Sequence, residues 1–336
     1  MTEEKDKKVQ HKAGFAGIIG RPNAGKSTLF NRLLGQKLSI ITHKAQTTRH
    51  RIPGFYSDDD SQIVFLDTPG IIQPSYLLQE KMMDMVIRLR SDADLLLHIV
   101  DGRRPPDPDD VVWETLAELR LPVILVVNKM DLLDSVRPGE RQEKGMENEA
   151  VDPAVDPAIS SAMSSAMNQV SEAAKAVIAK CTRQFEYIDA VAISAMDGSG
   201  VDGLIKKIKN RLPAGPAFYP KDQASDLSMR FFVSELIREQ LFLLYDKEVP
   251  YSCAVNVVEF REEEKIDRID AEIVVSRNSQ KGILIGKKGA MLKELGIRSR
   301  KEIEQFTGKK VYLQLFVKVR EKWREKEIFL KSYGYR

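Results

Sequence analysis

Short apolar runs alternate with helix-length segments along the first two thirds of the chain, from residue 15 to residue 212. Apolar runs of this length suit buried strands, and their alternation with helices predicts a parallel sheet covered on both faces. This is the doubly wound α/β pattern, in which ligands lie beyond the carboxyl ends of the strands. The predicted strands are 15–19, 63–66, 95–100, 123–127 and 187–193, and the predicted helices are 27–34, 79–91, 109–119 and 169–182.

Prolines and glycines cluster just after residue 212, which indicates that a helix stops and a linker follows. Beyond the linker, the pattern predicts a compact α+β module of order α-β-β-α-α-β with antiparallel character. Its predicted helices are 227–244, 287–295 and 298–306, and its predicted strands are 251–260, 270–276 and 311–319. The predicted organisation is a flexible N-terminus at 1–13, a doubly wound domain at 14–212, a linker at 213–226 and a smaller α+β domain at 227–336.

Residues 139–167 depart from the first pattern. They contain few large apolar side chains, repeat Val-Asp-Pro-Ala and continue as a mixture of Ala, Ser and Met. This low-complexity composition predicts a mobile insertion with some helix near 159–167. We assign no chemistry to it.

Composition places the chain among soluble globular proteins, with 43% hydrophobic and 30% charged residues. No uncharged apolar run approaches the roughly 18 residues of a transmembrane helix, and the charged N-terminus does not resemble a secretory signal. The chain has only two cysteines, Cys181 and Cys253. A reduced, cytoplasmic compartment is the simplest interpretation.

Charge is distributed unevenly along the chain. Residues 277–336 carry 17 Lys and Arg against 6 Asp and Glu, a balance of +11, whereas the whole chain has a net charge of only +3. Such an asymmetry favours a polyanionic partner at the C-terminal end. A solvated basic face with no partner is the alternative.

A phosphate-binding loop of the form Gly-x4-Gly-Lys-Ser runs from Gly20 to Ser27, directly after a predicted strand and at the start of a predicted helix. Backbone N–H groups of such a loop surround a β-phosphate, and the helix N-terminus adds partial positive charge. Lys26 is expected to reach the β- and γ-phosphates, and the Ser27 hydroxyl to bind Mg²⁺. The candidate contacts are Gly20, Asn23, Ala24, Gly25, Lys26, Ser27 and Thr28.

Three further motifs follow predicted strands in order. Asp67-Thr68-Pro69-Gly70 brings a carboxylate towards Mg²⁺ and a glycine N–H towards the γ-phosphate. Asn128-Lys129-Met130-Asp131 places Asp131 where it can accept hydrogen bonds from the two N–H groups that distinguish guanine from adenine. Ser194-Ala195-Met196 offers backbone N–H groups to the guanine carbonyl oxygen. Taken singly, a turn aspartate, a loop asparagine or a helix-capping serine explains each motif; together they predict a guanine nucleotide site.

These motifs together resemble the translation-factor-related GTPases. Within that class, Gln46-Thr47-Thr48-Arg49-His50 is similar to the switch segment of the Era family. The resemblance implies that GTP is the substrate and that Thr48 binds Mg²⁺ together with Ser27 and Asp67. Without the neighbouring motifs, a polar strand edge explains the segment equally well.

Catalysis is expected to depart from GTPases that orient water with a glutamine after Asp-x-x-Gly. That position is Ile71, and Gln73 and Gln79 lie at unmatched positions. The Era-like subgroup implies instead a K⁺ ion bound by Asn23, although Asn23 also suits a simple loop turn. The candidate catalytic residues are Asn23, Lys26, Thr48 and Gly70.

A second glycine-framed loop, Gly286-Lys287-Lys288-Gly289, lies in the basic C-terminal segment. A lone Gly-x-x-Gly is a weak signal. Here, glycines that admit a nucleic-acid backbone, two lysines and a following helix are typical of KH modules, which hold about four nucleotides of single strand. The candidate RNA contacts are Ile283, Ile285, Gly286, Lys287, Lys288, Gly289, Arg298, Arg300 and Lys301, with Val274 and Ile297 as further groove residues and Lys309 and Lys310 as further cations. Ordinary core is the alternative for at least half of the apolar groove residues, and solvated helix charge is the alternative for each cation outside the loop.

The stretch from Met229 to Tyr335 is similar to the C-terminal KH domain of the Era family, notably at 232–239, 249–252 and 317–319. The resemblance implies a monomeric GTPase that binds single-stranded RNA near the 3′ end of small-subunit ribosomal RNA and assists assembly of the 30S-type particle. It also implies peripheral inner-membrane association for some members. The alternatives are a tRNA-modifying or membrane GTPase with a different second domain, a binding module that does not hydrolyse its nucleotide, and an ATPase.

Overall fold

A computed structural model of the chain describes residues 10–133 and 171–335. The predictions for residues 1–9 and for the 139–167 insertion therefore lie outside the described residues. The chain divides into two compact units. The first comprises residues up to Gln36, Gly54–Asp67 and Ile87–Ala224; the second comprises Lys37–Pro53, Thr68–Val86 and the residues from Ser225 onward.

The larger sheet has six strands in the order β2-β3-β1-β4-β5-β6. β1 pairs in parallel with β3 and β4, β4 with β5, and β5 with β6. The predicted doubly wound α/β class is confirmed. The strands are β1 Lys12–Ile19, β2 Ile52–Ser57, β3 Ser61–Asp67, β4 Leu95–Asp101, β5 Val123–Asn128 and β6 Asp189–Ala192.

Two helices of this part of the chain begin at side-chain caps. Asp110 accepts a hydrogen bond from the Val112 N–H at 3.0 Å, and Ser171 accepts one from the Ala174 N–H at 3.4 Å, so each helix starts just after its cap. The predicted helix 79–91 is two helices, and the last helix was not predicted. The helices are α1 Lys26–Leu34, α2 Leu77–Ile87, α3 Leu89–Asp92, α4 Val111–Leu119, α5 Met130–Leu133, α6 Glu172–Thr182 and α7 Val201–Arg211.

The smaller sheet belongs to the second unit and has the order β7-β8-β9. β7 is antiparallel to β8, as expected, but β9 runs parallel to β8. The strands are β7 Ala254–Arg261, β8 Ile266–Val275 and β9 Lys310–Val319, and the helices are α8 Met229–Leu244, α9 Val249–Ser252, α10 Asn278–Ile285, α11 Ala290–Thr307 and α12 Glu327–Ser332.

The prediction of two helices at 287–295 and 298–306 was wrong. A single helix, α11, runs through Gly296, and an additional helix, α10, precedes the Gly-x-x-Gly loop. Glycine inside a helix costs about 1 kcal/mol relative to alanine, which favoured a break there. A Cβ at Gly296 would lie 3.8 Å from a Leu315 methyl group, so the helix packs closely on β9 at this position.

Residues of the predicted linker pack on the first unit. The Gln62 side chain accepts hydrogen bonds from the N–H groups of Phe218 and Tyr219 at 2.6 and 3.0 Å. The Tyr219 ring stacks on Phe55 with ring centroids 3.8 Å apart. The clustered prolines stop the preceding helix as expected, and the chain that follows is held by these contacts.

Candidate functional site: a phosphate loop, a base pocket and a Gly-x-x-Gly groove

The loop between β1 and α1 has a backbone that only small residues permit. Gly20 has φ +142°, and a Cβ there would lie 2.3 Å from the Ile99 carbonyl oxygen. Gly25 has φ +100°, and its Cβ would lie 2.2 Å from the Asn128 amide nitrogen. Asn23 also adopts a left-handed conformation, with φ 63°. The two glycines are therefore needed for the loop to close against β4 and the last residue of β5.

Lys26 opens α1 and is buried inside the loop. Its ammonium donates to the carbonyl oxygens of Gly20 and Arg21 at 3.2 and 3.0 Å. Burial lowers the pKa of Lys26 to about 8, and the negative charge of Asp67 opposes that shift. A phosphate group bound in the loop would stabilise the charged ammonium form of Lys26, because an opposite charge nearby favours the charged form of a group.

Ser27 and Asp67 meet beside the loop. The Ser27 hydroxyl donates to Asp67 Oδ2 at 2.8 Å, and Asp67 is fully buried at the end of β3. A hydroxyl and a carboxylate oxygen so placed are hard ligands of the kind that Mg²⁺ prefers. Thr28, the next residue of α1, is half-buried.

Asn128, the last residue of β5, joins two parts of the site. Its amide nitrogen donates to the Ala24 carbonyl at 2.9 Å, and its amide oxygen accepts the Ala195 N–H at 2.9 Å. Because one buried side chain bonds to both the Ala24 carbonyl and the Ala195 N–H, the phosphate loop and the loop after β6 are held at a fixed separation. Met196, next in that loop, is exposed.

Lys129 and Asp131 face the same region. The Lys129 ammonium donates to the Asn23 carbonyl at 2.6 Å and pairs with Asp101 at 2.7 Å. Asp131 accepts the Ser194 hydroxyl at 2.8 Å through one carboxylate oxygen. The structure thus brings Asn23, Ala24, Asn128, Lys129, Asp131, Ser194 and Ala195 into one connected network.

Two members of this network were missed from the sequence. Asp101 ends β4 and binds both Arg103 and Lys129. Burial raises the pKa of the Asp101 carboxyl, but the hydrogen bonds from Arg103 and Lys129 outweigh this effect and hold the pKa below its ordinary value. Arg32 in α1 donates to the carbonyl oxygens of Ala195 and Met196. The position of Asp101 directly after an apolar run was a usable signal, whereas Arg32 lies in no motif.

The remaining predicted nucleotide contacts lie in the second unit. Thr48 and the run Thr68, Pro69 and Gly70 are buried there. Ile71 is 3% exposed, as suits an apolar side chain. Gln79 accepts the Ser75 N–H at 2.8 Å through its amide oxygen, while Gln73 is exposed. Gln79 therefore stabilises the entry to α2.

The Gly-x-x-Gly loop is a single short turn between α10 and α11. Gly286, Lys288 and Gly289 all have positive φ, at 70°, 51° and 79°. Lys287 and Lys288 are exposed, and Gly289 caps the N-terminus of α11. The loop therefore presents two cations beside the positive end of an 18-residue helix.

A groove of about 450 Å³ opens next to this loop, between α11 and the edge strand β9. Leu292, Ile297, Leu313 and Leu315 give it an apolar lining. Lys293, Arg300 and Tyr312 contribute polar groups to the lining. The lining is completed by Gly289, Lys293, Gly296, Arg300, Val311 and Tyr312.

The other predicted RNA contacts are apolar residues and cations, which the structure places differently. Ile283 is half-exposed on α10, and Ile285 precedes the loop. Val274 is fully buried in the core, which rules out a place in the groove. On α11, Arg298 pairs with Glu294 at 2.7 Å, whereas Arg300 borders the groove. Lys301 is exposed, and Lys309 and Lys310 have acidic neighbours at 3.5 and 3.7 Å.

Comparison with known proteins covers both halves of this site. The family described as 50S ribosome-binding GTPase matches residues 15–129, and the family described as KH domain matches residues 248–324. GTPase Era of Lactobacillus delbrueckii subsp. bulgaricus is 41% identical over 97% of this chain and 97% of its own length. The chloroplastic GTPase ERA-like protein of Oryza sativa subsp. japonica is 40% identical over 97% of this chain and 70% of its own length.

Two solved structures are similar over nearly the whole chain. Aquifex aeolicus Era, as a variant bound to GDP·AlF4⁻, gives a TM-score of 0.82 at 34% identity and covers 96% of this chain and 99% of its own. Era in complex with MgGDPNP and nucleotides 1506–1542 of 16S ribosomal RNA gives 0.82 at 35% identity, with 97% and 99% covered.

Fold and site together define a GTP-hydrolysing P-loop protein that carries a KH domain. The chain belongs to the Era family of GTPases. Its KH domain is not the second domain that a tRNA-modifying or membrane GTPase would require. Among residues 10–133 and 171–335, none of the helices has the length and hydrophobicity needed to cross a membrane.

Proposed function

We propose that this GTPase binds single-stranded RNA near the 3′ end of small-subunit ribosomal RNA and thereby assists assembly of the 30S-type particle. The observation that carries the proposal is the apolar groove of about 450 Å³ beside Gly289. Bases of a single strand suit such a groove, and the loop lysines suit its phosphates. The related Era complex contains nucleotides 1506–1542 of 16S ribosomal RNA.

The proposal is tested by crosslinking the chain to RNA in cells and sequencing what is bound. We expect reads concentrated at the 3′ end of small-subunit ribosomal RNA, with crosslinks on peptides from the Gly286–Gly289 loop. Reads spread evenly over messenger, transfer and large-subunit RNA would contradict the assignment. Peripheral membrane association and a monomeric state stay predictions.

Magnesium fits the residues beside the phosphate loop. We propose that Ser27, Asp67 and Thr48 hold it, on the basis of the Ser27–Asp67 contact at 2.8 Å and the oxygen ligands all three provide. When bound, the ion neutralises charge on the β- and γ-phosphates. Lys26 would bind the same phosphates, and Gly70 would offer its N–H to the γ-phosphate.

Potassium is proposed to bind at Asn23 and to supply the positive charge that an arginine finger gives other GTPases. Lys129 and the left-handed φ of Asn23 both fix this residue within the loop. Exchanging Na⁺ for K⁺ should therefore raise GTP turnover, by about 10³ if the ion replaces the finger fully. Turnover is measured by phosphate release, with and without RNA.

The Asn23→Ala variant should remove the difference between the two salts. GDP affinity, measured in both salts, shows whether the ion acts on binding or on the chemical step. Equal turnover of the unmodified chain in K⁺ and Na⁺ would contradict the potassium proposal.

We further propose that the nucleotide state controls RNA binding through the switch segment. In the second unit this segment is anchored on α9 and Cys253, and the residues just before it are anchored on α8. Arg49, 1% exposed, donates to the carbonyl oxygens of Cys253 and Pro250 at 2.7 and 3.0 Å. The Lys44 ammonium donates to the Phe242 carbonyl at 2.7 Å, at the end of α8.

The residues before the switch segment bind a buried carboxylate of α8. Glu239 accepts the Ile41 N–H at 3.0 Å and the Lys37 ammonium at 2.6 Å. His50 stacks on Tyr335 with centroids 4.3 Å apart, and burial lowers its pKa to about 4. Thr48, the proposed Mg²⁺ ligand, is adjacent to Arg49 in the chain, so a change at Thr48 on nucleotide exchange would be transmitted to these contacts.

Arg49→Ala should uncouple the two sites. RNA affinity measured with a non-hydrolysable GTP analogue and with GDP should become equal, because the segment loses its two buried hydrogen bonds to Pro250 and Cys253 of the KH domain. Arg230→Ala, an exposed change on α8, is the control and should keep the difference. RNA affinity that is already independent of nucleotide in the unmodified chain would contradict the coupling.

A further inference from the structure

Arg32 lies in the last turn of α1, the helix that begins at the phosphate loop. Its Nε donates to the Ala195 carbonyl oxygen at 3.3 Å, and its Nη2 donates to the Met196 carbonyl oxygen. Both carbonyls belong to the loop after β6, which carries the Ser194-Ala195-Met196 motif predicted to meet the base. One side chain therefore ties the phosphate-loop helix to the loop that meets the base.

The loop after β6 also holds itself closed. The Ser194 N–H donates to the Ser199 carbonyl, and the Gly198 N–H donates to the Ser194 carbonyl, both at 2.9 Å. Gly198 has φ +97°, and a Cβ there would lie 3.9 Å from the Arg32 guanidinium. These bonds close the ends of the turn, whereas the carbonyls of Ala195 and Met196 in its middle are bound by Arg32.

Peptide geometry gives this contact a consequence for the base. In a trans peptide the carbonyl and the N–H of the next residue point in opposite directions. A guanidinium that holds the Ala195 carbonyl therefore fixes the direction of the Met196 N–H on the other side. The neighbouring Ala195 N–H is already oriented by Asn128, at 2.9 Å.

We propose that Arg32 is a positioning residue for guanine recognition: it holds the loop so that the Met196 N–H faces the guanine carbonyl oxygen, O6. The proposal rests on the assignment of Ser194–Met196 to the base. On this proposal guanine is recognised at two places. Asp131 binds the N1–H and the 2-amino group, and the loop that Arg32 positions binds O6. A charge-assisted hydrogen bond to two carbonyls is well suited to that task.

The test uses Arg32→Ala in the full chain and measures Kd for GDP, inosine diphosphate and ADP. GDP and inosine diphosphate both carry O6, so both should bind about tenfold more weakly. ADP, which lacks O6, should bind as weakly as before, so the preference for GDP over ADP falls about tenfold. The ratio of GDP to inosine diphosphate reports on the 2-amino group and should not change.

Two further variants make the result specific. Arg32→Lys keeps one donor within reach of a carbonyl and should recover part of the preference. Arg183→Ala, an exposed change just after α6, is the matched control and should bind all three nucleotides as the unmodified chain does. The kcat at saturating GTP should change little in Arg32→Ala, because the effect lies in binding.

An unchanged preference for GDP over ADP in Arg32→Ala would overturn the proposal. So would an equal loss of all three nucleotides together with a lower Tm of the nucleotide-free protein, since that pattern is general destabilisation. Failure of the base assignment itself is recognised separately: Asp131→Asn would then leave the preference for GTP unaltered.

Discussion

Replacing Gly289 with aspartate should reduce RNA affinity nearly a thousandfold while GTP binding is preserved. The new carboxylate would stand at the N-terminus of α11, where a phosphate of the RNA is expected. Two like charges about 4 Å apart repel by roughly 4 kcal/mol at a protein surface, and each 1.4 kcal/mol is about a factor of ten in Kd. Adding Gly286→Asp should abolish the remaining binding.

Gly308 provides a matched control for the backbone. Like Gly289 it caps α11 and has a positive φ, 71° against 79°, and a Cβ at either position meets nothing within 4 Å. Gly308→Asp therefore carries the same conformational strain and the same charge, but at the opposite end of the helix. It should keep RNA affinity within a small factor of the unmodified value.

The measurement is a titration of labelled RNA at one salt concentration, because phosphate contacts make Kd strongly dependent on salt. Substitution at Gly286 is harder to interpret than substitution at Gly289, because a Cβ at Gly286 would lie 2.6 Å from Met291 Cγ and clash with it. Loss of both RNA and GTP binding in the double variant would indicate misfolding. Undiminished RNA binding by Gly289→Asp would place the RNA elsewhere on the chain.

The hydrogen-bonded network around Asn128 was largely predictable from the sequence because its motifs sit at the ends of parallel strands. Carboxyl ends of neighbouring strands meet at one edge of a sheet, so Asp67 at the end of β3 and the residues after β1, β5 and β6 were expected to converge. Asn128, with bonds to Ala24 and Ala195, shows how directly they do. The same rule applied to the end of β4 would have found Asp101.

Arg32 and the anchor on α8 could not be predicted in this way. Arg32 binds backbone carbonyls, which leave no mark on the sequence of the loop they belong to. On α8, Glu235, Arg238 and Glu239 are buried although a helix pattern predicts charged residues on the solvent side. Glu239 is covered by residues near position 40, about 200 positions away in the chain, and no local pattern reports such a contact.

Asp131→Asn should convert the GTPase into an enzyme that prefers xanthosine triphosphate. The Asp131 carboxylate accepts two N–H groups of guanine, whereas an asparagine amide presents one acceptor and one donor. The donor faces the 2-amino group of guanine unfavourably but matches the 2-carbonyl oxygen of xanthine. A site built around hydrogen bonds rejects a ligand that cannot make them by about 10⁴, so kcat/KM for GTP should fall on that order.

The rest of the pocket should survive this change. The Ser194 hydroxyl, which donates to Asp131 at 2.8 Å, can donate to the asparagine amide oxygen instead. The experiment compares kcat/KM for GTP, xanthosine triphosphate and ATP, with Asp202→Asn, an exposed change in the first turn of α7, as control. An unchanged preference for GTP would show that Asp131 does not read the base. A gain for ATP rather than xanthosine triphosphate would mean that the pocket distinguishes purines through another group.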